Sequence, residues 1–249
     1  MEFPDYIPRE VPLAGDRFVW NGTLDHVGQL EGATRLMAKF GDINSCGCFA
    51  LASGLALWGA ARFSHLMDIS TLGHVSDAAL AFMCAPQSVD FGPILEEKVP
   101  EAPKVLSAFR KFRWLSMVCV LPGRWADNKV PPMRDLYHLA HLLRHLLDKA
   151  HRPAFDLWLD EACHNVRYLA PRPREGLTRL DNDEPTAAEI RAYVAPYWGH
   201  PVPRAALVST LDAGEAATRF RAEIAAIDWA ANPYVSRAPD PDEAYGVLR

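Results

Sequence analysis

The chain lacks the motifs that would announce a reaction. No Gly-rich loop leads into Lys and Ser/Thr to cradle a phosphate, and no His-Glu-x-x-His pair offers a zinc-protease centre. Leu51-Ala52-Ser53-Gly54 is without the first glycine of a nucleophile elbow. Cys163 and His164 are adjacent, and on a helix that turns them about 100° apart, too divergent for a catalytic dyad. No catalytic residue is therefore assigned. Positive charge is also in short supply: 26 Lys and Arg against 31 Asp and Glu leave a net charge of −5. That excludes a general nucleic-acid footprint. Five cysteines, an odd number, have neither zinc-ribbon spacing nor the pairing of a secreted disulfide framework. The start, Met1-Glu2-Phe3-Pro4-Asp5, is acidic and proline-broken, unlike a signal peptide. A cytoplasmic protein with reduced, buried thiols is expected. There is no internal repeat of fixed period and no low-complexity tract.

What is present suits a helical core. Hydrophobic residues make up 49% and charged residues 23%, enough apolar surface to fold without staples. Twenty prolines mark helix starts and stops. From Ile43 to Ala61 no charge interrupts the chain, nearly the length of a membrane span. Asn44, Ser45, Ser53, three glycines and many alanines make it only moderately apolar, and the expectation is a buried central helix rather than a membrane segment.

Periodicity and capping place the other helices. Thr23 to Gly41 carries Leu24, Val27, Leu30, Leu36, Met37 and Phe40 at helical spacing. Ser76 reads as the cap of a short helix ended by Pro86. Pro103 suits the first turn of a helix through Phe109 and Trp114, with Trp114–Leu121 open between helix and strand. The strongest pattern is Met133 to His151, whose Leu136, Leu139, Leu142, Leu143, Leu146 and Leu147 form one face. Pro153 opens a further helix to about Ala170, expected to pack with its predecessor as an antiparallel hairpin. Thr186 with Glu189 and Asp212 with Glu215 read as capping boxes. The fold class is thus all-α: a multi-helix bundle of about seven to nine helices with extended N- and C-terminal arms. Residues 1–170 form the main helical domain, 171–185 a linker, and 186–249 a small C-terminal subdomain packed on it.

Two constellations carry candidate chemistry. His138, His141 and His145 stand at i, i+3 and i+7 and share a helical stripe beside the leucine face. Glu161-x-x-His164 on the next helix repeats the spacing by which carboxylate-bridged di-metal bundles project ligands. Together these five are the candidate ligands of a divalent metal, zinc or iron by ligand chemistry. Against that, the histidines lie off the apolar face, where a solvated or partner-facing stripe looks identical. Cys46-Gly47-Cys48 begins an apolar helix, where a thiol pKa can fall, but small buried residues beside glycine explain it more simply. The basic run Lys104–Arg113, interleaved with Phe109, Phe112 and Trp114, fits base stacking, snorkelling side chains around a half-buried helix or an anionic protein partner. Tyr197, Trp198 and His200 form an aromatic loop, read either as partner anchors or as a plug in the seam below the linker.

With no coherent active site, the expected function is that of a non-catalytic protein-interaction module: an adaptor, a secretion accessory or an immunity-type partner. Another protein is the expected partner, with no nucleic acid and no membrane. The alternative is a metal-dependent enzyme built on the His stripe and the Glu-x-x-His pair.

Overall fold

The computed structural model describes residues 2–24, 35–92, 102–120, 133–173 and 197–242, with 189 and 195. Among the described residues there are seven α-helices and no β-strand: α1 (Arg35–Gly41), α2 (Ser45–Phe63), α3 (Ser70–Cys84), α4 (Pro103–Val118), α5 (Met133–Leu146), α6 (Arg152–Leu169) and α7 (Ala213–Ala226). The fold is all-α. Short 3-10 turns stand at Val11–Leu13, Pro86–Ser88, Arg204–Leu207 and Trp229–Ala231.

The uncharged segment is the axis. The Asn44 side chain accepts from the Gly47 amide at 3.1 Å and caps α2. Every residue of that helix is buried, including Arg62. It is long and apolar enough to cross a membrane, yet its apolar window is wholly enclosed by the rest of the chain. Its glycines mark the closest approaches. A Cβ at Gly59 would collide with the Phe112 ring of α4, and one at Gly54 would come within 2.7 Å of Leu207 and 3.0 Å of Trp158. The small residues let α4, α6 and the 204–207 turn sit directly on α2.

Two boundaries differ from the sequence expectation, and one open alternative is resolved. The α3 helix starts at Ser70 rather than at Ser76, with the Asp68 side chain accepting from the Ser70 amide at 2.9 Å. Ser70, Thr71 and Gly73 are poor helix formers, but burial of Leu72 and Val75 against the core outweighs propensity. The α5 helix stops at Leu146, not His151, because arginines from elsewhere take its terminal carbonyls: Arg62 Nε donates to Leu146 O at 2.7 Å, and Arg152 Nη2 to His145 O at 3.1 Å. Trp114–Val118 is helical. Residues 25–34 of the first expected helix, and Thr186 of the 186/189 capping box, lie outside the described residues, as do 174–185 of the linker.

Both arms are packed into the body. Ile7, Val11 and Phe18 are buried in the core. At the other end Tyr234 is buried, the Asp90 amide donates to Tyr234 O at 2.9 Å, and the Ser236 amide donates to Ser88 O at 2.8 Å. One continuous cluster of buried apolar side chains runs from Ile7 through α2 to Phe220, Ile224 and Val235.

Candidate functional site

The Glu-x-x-His pair opens onto a cleft. The α6 helix turns Phe155, Trp158, Leu159, Ala162 and Val166 inward, so Glu161 and His164 look outward and both are exposed. With Arg35 and Lys39 of α1 and Val208, Ser209 and Thr210 after the 204–207 turn, they line a cavity of about 660 Å³, within the range of ligand sites. Its walls are polar and largely charge-balanced. Lys39 is ion-paired with Asp160, and Arg167 Nη1 lies 3.2 Å from Asp42 Oδ2. Thr210 Oγ1 donates to Asn165 Oδ1 at 2.9 Å. Cys163 sits at the back, where burial pushes its thiol up to about 12 and leaves it protonated at neutral pH.

The α5 histidines stand apart from this cleft, and no α5 residue lines it. His145 Nε2 hydrogen-bonds the carbonyl of Val19 on the N-terminal arm. The His141 ring lies 4.2 Å from that of Tyr137. His138 is half-buried, and its pKa is lowered by burial first and then by Arg134 and Lys111, with Asp135 opposing. Among the described residues no group of three or more His, Cys, Asp or Glu stands close enough to hold a metal ion. The two helices of the expected antiparallel hairpin touch only sparsely, because the apolar residues of α6 go to α2 and the 204–207 turn. That divides the five candidate ligands between two faces, with Glu161 and His164 on one and His138, His141 and His145 on the other.

The aromatic segment expected as a loop is helical at Tyr197 and Trp198 and turns inward. Trp198 packs against Phe49 and Phe82, with centroids at 5.4 and 5.5 Å, and its Nε1 donates to Met83 O at 3.3 Å. Tyr197 is buried, whereas His200 is exposed. Gly199, at φ 80°, lies against Asn44, and its carbonyl accepts from Cys46 Sγ at 3.5 Å. Burial raises the Cys46 and Cys48 thiols despite the helix N-terminus beside them; desolvation outweighs the dipole.

A polar network that the sequence did not announce joins the C-terminal part to the core. Arg204 Nε donates to Ser53 Oγ at 2.9 Å, and its Nη2 to Ser76 Oγ at 2.7 Å and Asp77 Oδ1 at 2.6 Å. Glu223 of α7 accepts from the Arg204 and Ala205 amides at 2.8 and 3.1 Å, capping the 204–207 turn. Burial raises the Glu223 pKa, while those amides and the Arg204 charge pull it down. The Tyr6 hydroxyl is buried near the same charges, without a hydrogen-bond partner among the described residues. Isolated serines and an arginine 128 positions away carry no local signature in sequence. The network holds four segments together, and its hydroxyls are committed to that.

Comparisons with family models, curated proteins and solved structures found no match to the chain.

Proposed function

We propose that the chain is a non-catalytic protein-interaction module whose partner docks on the outer face of α6. The observation that carries this is a single exposed stripe. Leu157, Glu161, His164 and Tyr168 stand at i, i+4, i+7 and i+11 on one side of the helix, and Leu157 and Tyr168 are 61% and 66% exposed. Val208, 54% exposed, faces the same cleft. Large apolar side chains at the ends of a stripe, with an acid and an imidazole in a concave middle, supply anchors and orienting polar contacts together. Nucleophilic chemistry has little to start from: the five cysteines are buried, and Ser53 and Ser76 are fixed by Arg204.

A photo-crosslinking amino acid placed at Leu157 or Tyr168, in cells that express the chain naturally, tests this. A discrete protein adduct at both positions, lost on Glu161→Lys, is the expected outcome; no adduct at either position overturns the reading. The alternative, metal-dependent reading retains Glu161 and His164 in one cleft. Near-stoichiometric zinc, iron or manganese in untagged protein, lost in the Glu161→Gln/His164→Ala variant, would put it first.

A further inference from the structure

A second face, on α4 and α5, has a different chemistry. On α4, Phe109 and Phe112 are buried; of the basic run Arg110 is exposed and Lys111 half-buried, beside one large aromatic, Trp114, that is 45% exposed. Lys111 Nζ lies 4.4 Å over the Trp114 ring. On α5, Arg134 is exposed one turn before His138, and the charges of both Lys111 and Arg134 act on that imidazole. The two helices pack together, so Lys111, Trp114, Arg134 and His138 share one ledge. Asp135 borders it and is engaged within the chain. A surface that concentrates cations in a protein of net charge −5 is not explained by composition.

We infer that this ledge binds an acidic peptide segment of a partner protein, its carboxylates on Lys111 and Arg134 and an apolar side chain against the edge of Trp114. A single-stranded nucleic acid fits less well. Base recognition of that kind needs stacking platforms, and here two of the three aromatics of the run are buried and the third is covered by Lys111. Carboxylates need only the cations and the hydrogen bonds they donate. The ledge is separate from the α6 stripe and does not depend on it; if both hold, the module joins two partners.

The test is fluorescence anisotropy on the full chain with a labelled peptide repeating Glu-Glu-Leu, and in parallel with a labelled oligouridylate. Saturable peptide binding is expected. It should weaken roughly tenfold or more in Lys111→Glu/Arg134→Glu and fall with added salt. Lys149→Glu, an exposed reversal off the ledge, should leave it unchanged. Circular dichroism melting reports whether the double variant is folded, and if it is not, Lys111→Gln/Arg134→Gln takes its place. No peptide binding, equal binding by the reversed or neutralised variant, or tighter binding of the oligonucleotide each overturns the inference. Failure here leaves the crosslinking result at Leu157 and Tyr168 untouched, so the two readings fail separately.

Discussion

At the residue scale, the environments of the ionisable groups decide what they can do. His138 shows how. Its ordinary value of 6.5 is lowered by burial and by the neighbouring Arg134 and Lys111, and only partly restored by Asp135. Its folded pKa therefore lies below its unfolded one. As pH falls through 6.5 the unfolded chain takes up the proton first, and stability declines until the folded pKa is passed. His138→Gln removes that linkage. Urea denaturation at about pH 7.5 and about pH 5.5 should show a smaller loss on acidification in the variant than in the parent chain. An equal loss in both would mean that other groups carry the acid sensitivity. The same scale explains what was legible in the residues. That Cys46 and Cys48 are small buried residues follows from their apolar surroundings. That Glu161 and His164 share a cleft while His138, His141 and His145 do not depends on which helix each face meets, and spacing within one helix is silent about that.

At the scale of the element, periodicity served best where a helix has one dominant neighbour. The leucine face of α5 is buried as its spacing requires. Its end is not a local property. A buried arginine 84 positions away takes the Leu146 carbonyl, and the same guanidinium donates to Ala14 O at 3.1 Å and Gly15 O at 2.7 Å. Phe18 stacks on it, 5.2 Å from ring centroid to Cζ. Among the described residues its hydrogen bonds go to three carbonyls and its flat face to Phe18, while the charges of Asp148 and Asp16 offset part of the desolvation. Arg62→Met keeps the apolar stem and strands those carbonyls, at roughly 1–3 kcal/mol for each one that stays buried without a donor. A fall in the urea midpoint with circular dichroism still helical is the expected result; an unchanged midpoint would show that the carbonyls find other donors. Local patterns misplaced the start of α3 for the same reason, since contacts with the core override a weak sequence of helix formers.

At the scale of the whole molecule, the feature least visible beforehand is how the ends are used. Proline-broken, irregular sequence at both termini reads naturally as arms reaching over a surface toward a partner. In the fold those segments supply core residues, which leaves the helix faces to carry an interaction reading. Ile7, Val11 and Phe18 are each almost wholly enclosed, and full burial of such side chains is worth about 1.5–3 kcal/mol apiece. Ala14 and Gly15 give Arg62 two of its three acceptors. Losing the arm thus removes apolar burial and leaves a guanidinium unsatisfied inside the bundle, a combined cost comparable with the roughly 5–15 kcal/mol that holds a domain together. Deletion of residues 2–18 should abolish the cooperative thermal transition, and a synthetic peptide of that sequence, added in excess, should restore part of it. A deletion variant that melts like the full chain would mean the arm is an accessory after all, free to leave the body and available to a partner. Its retention would make the exposed faces of α6 and of α4 with α5 the surfaces through which the folded chain meets other molecules.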